Sequence, residues 1–203
     1  MRIGIDFDNT IANYDRVFAP LAIDLGLVES GFTGTKRDVH RRVFQDGSGE
    51  KEWMRLQGQL YGKHMWRAEL MTGAQNFLEA CKIENIPVYV ISHKTEFGHF
   101  DKDKIPLRGV AMNWMQSLNF FTSTGYDIPK KNVYFASTRV EKVQYIHETS
   151  CTHFIDDLIE VFLEPHFPEQ TKQYLLHSNP SITPPNGKTY SAWSQIQNDI
   201  LGQ

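Results

Sequence analysis

Ile3-Gly4-Ile5-Asp6-Phe7-Asp8-Asn9-Thr10 sets a short apolar run against two acids and a polar turn. Residues 2–7 predict a buried strand, and its end places Asp6 and Asp8 at a strand's exit. The same pattern recurs along the chain. Pro87-Val88-Tyr89-Val90-Ile91 ends at Ser92-His93-Lys94-Thr95, and Asn132-Val133-Tyr134-Phe135-Ala136 ends at Ser137-Thr138. Thr152-His153-Phe154-Ile155 ends at Asp156-Asp157, and a fifth run, Gln173-Tyr174-Leu175-Leu176, ends at His177-Ser178. Helical patterns over 73–84, 107–119 and 139–149 separate these strands. Strands alternating with helices predict an α/β fold with a parallel sheet and right-handed crossovers. Such a sheet binds ligands beyond the carboxyl ends of its strands, where these polar tips fall.

Between the first strand and the second, roughly 14–70, the pattern is helical. Tyr14, Val17, Phe18, Leu21, Ala22 and Leu25 mark one amphipathic helix, in which Pro20 predicts a kink or a later start. A short basic helix is expected over Arg37 to Phe44, a turn over Gln45 to Gly49, and a further helix carrying Trp53, Leu56, Leu60 and Tyr61. This stretch is a candidate cap, so the expected organisation is a core of 1–13 and 71–203 with an insertion of 14–70. Residues 178–189, rich in Pro, Ser and Gly, predict a loop leading to a last helix with Trp193, Ile196 and Ile200. Trp53, Trp66 and Trp114 fit amphipathic core positions better than a base-stacking platform.

A chain of 203 residues suits one catalytic domain with an insertion, and 40% hydrophobic with 22% charged residues is the composition of a folded globule. The net charge of −3 supplies no broad cationic field, so neither a nucleic-acid duplex nor an acidic membrane is an expected partner. No apolar run is long enough to span a bilayer, and Arg2, Asp6 and Asp8 interrupt any signal-peptide core; a cytoplasmic location is the expectation. Cys81 and Cys151 have neither metal nor disulfide spacing and read as buried free thiols. His99, His153 and His166 likewise lack ligand spacing.

The acids define the chemistry. Where the chain turns after a strand, two carboxylates two residues apart can take separate roles. The first can attack phosphorus, and the second can protonate the leaving oxygen and later deprotonate a water. Two such acids ionise together cheaply only with a cation between them, and Asp156-Asp157 would complete an oxygen-only ligand set suited to Mg²⁺. Ser92 supplies a hydroxyl for one phosphoryl oxygen, with backbone amides after it. Lys142, in the helix before the Asp156 strand, is the best-placed amine to neutralise charge on a transferring group, with Arg139, Lys130 and Lys131 as rivals.

Taken in order, Asp6-Phe7-Asp8-Asn9-Thr10, Ser92, Lys142 and Asp156-Asp157 resemble the four motifs of the haloacid dehalogenase-like (HAD) superfamily, in its aspartate-nucleophile phosphatase branch. The resemblance implies a Rossmann-like parallel sheet flanked by helices, with a helical cap inserted after the first strand. It also implies an aspartyl-phosphate on Asp6, Asp8 as general acid and base, and Mg²⁺ held by Asp6, the backbone carbonyl of Asp8, and Asp156. Asp157 is then a second ligand or an outer partner. Asn9 stands where glycine is frequent in the family, and asparagine tolerates the left-handed backbone such a turn uses. An acid at position 8 favours phosphate esters over halide removal.

The expected activity is therefore Mg²⁺-dependent hydrolysis of a small phosphomonoester, such as a sugar phosphate or nucleotide. The alternatives are phosphoryl transfer to a second substrate, as in mutases, and a non-catalytic phosphate-binding module. Asn9, Thr10, His93 and Lys94 are candidate substrate contacts, although His93 and Lys94 equally suit a polar loop. Arg41, with Lys36, Arg37 and Arg42, forms a basic cluster that either holds a second anionic group of the substrate or is a solvated helix face.

Overall fold

The opening apolar run becomes β1 (Ile3–Ile5), a central strand, in a computed structural model that describes residues 1–45 and 49–202. Ile3, Ile5 and Phe7 are fully buried, as a strand covered on both faces requires. Gly4 belongs to the same packing: a Cβ there would lie 2.5 Å from the Phe154 ring and 2.8 Å from Cys151 Sγ.

The chain continues through β2 (Ala12–Asn13), α1 (Asp15–Asp24), α2 (Lys36–Gln45), α3 (Gly49–Tyr61), β3 (Glu69–Leu70) and α4 (Ala74–Ile83). Then come β4 (Val88–His93), α5 (Leu107–Ser117), β5 (Val133–Ala136), α6 (Arg139–Glu148), β6 (His153–Asp156) and α7 (Ile159–Phe162). The last elements are β7 (Lys172–Leu176), β8 (Gly187–Tyr190) and α8 (Trp193–Leu201). Six strands form one sheet in the order β5-β4-β1-β6-β7-β8, every neighbouring pair parallel. The α/β architecture expected from the sequence is the one observed. β1 has β4 on one side and β6 on the other, so the strand order reverses at β1, the place where sheets of this kind bind ligands at their carboxyl ends. β2 and β3 make a separate two-stranded ribbon.

The chain divides into two compact units: Met1–Ala12, Leu70–Lys94 and Gln116–Gln203 in the first, Asn13–Glu69 and Thr95–Met115 in the second. The first contains the six-stranded sheet. The second is helical and has its own core, with Val17, Phe18, Leu21, Val39, Val43, Leu56 and Leu60 buried. Trp53 stacks on Phe18 with ring centroids 5.6 Å apart, the Tyr14 hydroxyl donates to Met65 Sδ at 3.0 Å, and Trp114 Nε1 donates to the Ala68 carbonyl at 3.1 Å.

Four local expectations need correction. β8 lies where the sequence predicts only a loop, because Gly187-Lys188-Thr189-Tyr190 has no apolar run and pairs on one side alone, as an edge strand. α1 starts before Pro20 and runs through it; the forfeited bond is to the Arg16 carbonyl, and both residues are exposed. Trp66 is not a core residue: it sits on a single 3₁₀ turn and is 77% exposed. Val140, one of the apolar residues behind the helical pattern over 139–149, is also exposed rather than buried. Most of the turn expected over Gln45 to Gly49 lies outside the described residues. Both thiols are free and buried, and burial pushes Cys81 up to about 12 and Cys151 up to about 11.

Candidate active site

Register brings the first two acids together. Ile5 pairs with Ile155 across β1 and β6, and the Asp6 amide donates to the Ile155 carbonyl at 2.9 Å. The next residue on each strand is Asp6 and Asp156, and neighbours at one level of a parallel pair face the same side. Lys142 reaches them from α6. Thr138 caps that helix, its hydroxyl accepting from the Glu141 amide at 3.1 Å, while the Glu141 carboxylate accepts from the Ser137 amide at 2.6 Å. The cap fixes where the helix begins and so places Lys142 in its first turn. Lys142 Nζ donates to Asp6 Oδ1 and to Asp156 Oδ2, each at 2.6 Å, with all three side chains buried.

One ammonium brings a single positive charge to two buried carboxylates. Burial pushes the Asp156 carboxyl up to about 7; Lys142 opposes that shift and the Asp6 charge adds to it. For Lys142, burial disfavours the charged form, but Asp156 and Asp6 outweigh it and hold the proton well above the usual lysine range. The pair of acids therefore has unmet demand for positive charge. Asp6, Asp156 and Asp157 each offer an oxygen, and these oxygens lie within 4.8 Å of one another. An oxygen-only, anionic donor set, two of its three acids buried, fits a hard divalent cation.

The second acid of the opening motif has a cation of its own. Lys94 Nζ donates to Asp8 Oδ2 at 2.6 Å and lies over the Phe7 ring, 5.4 Å from its centroid; the lysine is 3% exposed. The Lys94 amide donates to the Ala136 carbonyl at 2.8 Å, which fixes the chain just past β4. Asn9 has φ 61°, the left-handed conformation expected of it, and its amide closes the turn on the Ala12 carbonyl at 2.8 Å. Thr10 is fully buried, and its hydroxyl has no hydrogen-bond partner among the described residues. Ser92 is buried at the next-to-last position of β4, whereas His93 is exposed and bonds through Nε2 to the Ser137 carbonyl at 3.0 Å.

The sheet unit thus contains Asp6, Asp8, Asn9, Thr10, Ser92, His93, Lys94, Lys142, Asp156 and Asp157. Arg41 belongs to the helical unit, on α2, with its side chain 3.6 Å from the Asp38 carboxylate. The rivals of Lys142 are engaged elsewhere or exposed: Arg139 pairs with Glu164 at 3.2 Å, Lys130 donates to Gln116 at 2.9 Å, and Lys131 faces solvent. One supporting residue had no signal in the sequence beyond its place in the last helix. Trp193 is buried at the start of α8, and its Nε1 donates to the Thr10 carbonyl at 3.0 Å, which ties the C-terminal helix to the turn after the acids.

No protein-family model matches the sequence, and no curated protein matches it. Solved structures do match over the chain's length. A haloacid dehalogenase-like family hydrolase from Xanthomonas campestris has a TM-score of 0.57 at 10% identity, covering 100% of this chain and 95% of that chain. A HAD family hydrolase from Deinococcus radiodurans, solved with bound phosphate and sodium, has a TM-score of 0.57 at 11% identity, covering 99% and 95%. A HAD-type hydrolase from Bacillus subtilis bound to magnesium has a TM-score of 0.56 at 11% identity, covering 98% of each chain. At these identities the likeness is one of fold, and the fold is HAD-like.

Proposed function

We propose that this chain is a Mg²⁺-dependent phosphohydrolase that works through an aspartyl-phosphate on Asp6. The observation that carries the reading is the buried bridge from Lys142 to Asp6 and Asp156, at 2.6 Å each, beside a third acid at the switch point of a parallel sheet. Two ionised carboxylates sharing one ammonium keep a net negative charge, which a further cation would offset. A phosphate-binding HAD fold of similar shape from Deinococcus radiodurans supports the same reading.

In the first step a carboxylate oxygen of Asp6 bonds to phosphorus, the bond from phosphorus to the ester oxygen breaks, and Asp8 gives that oxygen a proton. In the second, Asp8 takes a proton from water, the resulting hydroxide bonds to phosphorus, and the acyl-phosphate bond breaks to release phosphate and restore Asp6. Lys142 holds Asp6 in one rotamer and offsets charge on the transferring group. Lys94 holds Asp8 in place through its 2.6 Å hydrogen bond. Ser92 is assigned to a phosphoryl oxygen, and Asn9, Thr10 and His93 to the substrate's surroundings. Asp6, the Asp8 carbonyl and Asp156 would hold Mg²⁺, with Asp157 beside them, and the ion would screen the phosphoryl oxygens from the incoming carboxylate. The helical unit is assigned the choice of substrate, with Arg41 as its candidate anion contact. A small phosphomonoester is the substrate class, because the motif acids, serine and lysine serve the phosphoryl group alone.

A panel of phosphorylated metabolites, with and without Mg²⁺, tests the reading on the native protein and on Asp6→Asn. Phosphate release that needs Mg²⁺ and disappears in Asp6→Asn is the expected result. Release without metal, or an unaffected variant, overturns it. Product formation that depends on an added acceptor alcohol would assign the chain to phosphoryl transfer instead.

A further inference from the structure

The helical unit carries a cavity of about 700 Å³ that none of the motif residues lines. One wall is α3, where Lys51, Arg55 and Gln59 recur every fourth residue and so share a face, with Lys63 continuing the row past the helix end. The other wall is the loop 97–106. Gly98 lets that loop lie directly on the helix, since a Cβ there would come within 2.7 Å of Gly58 Cα. The loop is closed by a bridge from Phe97 to Pro106, and Asp101 accepts from the amides of Asp103 and Ile105 at 3.0 and 2.8 Å.

At the tip of this loop stands Phe100, which is 54% exposed and has φ 58°. A bulky aromatic residue in the left-handed region is strained, and that conformation presents its ring at the cavity. Lys51 Nζ lies 5.5 Å from the ring centroid. The acids of the cavity are largely committed to their neighbours: Glu52 pairs with Arg55 at 3.0 Å, and Asp101 serves the loop amides. Lys51, Lys63 and Lys102 line the same cavity as this ring, with Asp103 as the remaining acid.

We propose that this cavity binds a nucleoside phosphate, with the base on the Phe100 ring and the phosphate among the ammonium groups of Lys51, Lys63 and Lys102. The volume falls in the range of small-molecule sites. An exposed ring gains from a flat aromatic partner, which a simple sugar phosphate lacks, and three lysines gain from an anion. The proposal does not rest on the chemistry assigned to Asp6.

Binding to the Asp6→Asn protein, which separates this site from turnover, provides the test. Adenosine 5′-monophosphate is titrated calorimetrically against that protein alone and with Phe100→Gly, which removes the ring and keeps the left-handed backbone without strain. A loss of roughly 10- to 100-fold is expected, with recovery in Phe100→Tyr. Ribose 5-phosphate should bind at least about tenfold more weakly than the nucleotide, and Lys51→Met with Lys63→Met should weaken both. Photolabelling with 8-azidoadenosine 5′-monophosphate should modify the tryptic peptide 95–102. Nucleotide affinity that ignores Phe100→Gly, ribose 5-phosphate binding as tightly as the nucleotide, or label found only on peptides of the sheet unit would each overturn the proposal.

Discussion

Lys94 donates to Asp8 across 2.6 Å from a position almost closed to solvent, so the acid two residues after the proposed nucleophile has a buried cation bonded to it. Lys94→Met keeps the length of the stem and removes the charge. It removes one buried hydrogen-bond partner of Asp8, which is expected to cost about 1–3 kcal/mol of stability in urea unfolding. If Asp8 is the acid and base, kcat should fall by roughly 10- to 100-fold with a smaller change in KM, because general catalysis by a positioned group is worth about that much or more. An unchanged kcat with a raised KM would move Lys94 from Asp8 to the substrate.

Lys142 shares one ammonium between Asp6 and Asp156, and effects at these residues should not add. Lys142→Met alone strands two neighbouring buried carboxylates and should destabilise the fold by roughly 3–5 kcal/mol. In the double variant with Asp156→Asn one of those charges is gone. The double variant should be more stable than the sum of the single changes predicts, by about 1–3 kcal/mol. Urea unfolding of the four proteins checks this; additivity would mean the three groups are not one network. Hydrolysis should be lost in all three variants.

Much of this arrangement was legible in the sequence, and the limits have physical causes. Strand ends could be read because an apolar run stopping at acids or hydroxyls is a local signal, and Asp6, Ser92 and Asp156 all sit at such stops. Lys142 could be placed only by its order relative to the acids, since a lysine in the first turn of a helix looks like a solvated charge; the Thr138 and Glu141 cap that aims it inward is local, but its burial is not. Lys94 looked as much like a loop residue as a site residue, because its partner Asp8 is 86 positions away. β8 was invisible: an edge strand needs a neighbour more than it needs a pattern. Trp66 misled, since a tryptophan at helical spacing reads as core whether or not the helix continues.

Metal-free protein should lose stability as pH rises from 5 to 8. Folding raises the Asp156 carboxyl from its ordinary 3.8 to about 7, so the folded state binds the extra proton between those values. The stabilisation from that proton is complete below about pH 4 and lost as pH rises through 7. Lys142 shifts upward too, but its window lies at high pH and does not enter this range. In EDTA the Tm should drop by roughly 5 °C between pH 5 and 8, corresponding to about 2 kcal/mol, and Asp156→Asn should flatten the curve. Mg²⁺ binds the ionised acids, so the rise in Tm on adding it should be larger at pH 8 than at pH 5. A Mg²⁺ effect that is equal at both, or absent, would separate the acid cluster from metal binding.

Trp193 gives the C-terminal helix a part in placing the opening motif. Its indole donates to the Thr10 carbonyl at 3.0 Å and its ring lies against Phe77, with centroids 5.0 Å apart. Trp193→Phe preserves most of the packing on Phe77 but leaves a buried carbonyl without its donor, at an expected cost of about 1–3 kcal/mol. The carbonyl belongs to the turn that carries Asp8 and Asn9, so loosening it should lower kcat several-fold while leaving inorganic phosphate affinity nearly unchanged. Trp193→Leu removes the indole donor and the ring together and should lower stability further, by another roughly 2 kcal/mol, without a proportionate further loss of kcat. If the two variants instead lose activity in proportion to their loss of stability, Trp193 acts only as a core residue, and the link from α8 to the turn has no catalytic consequence.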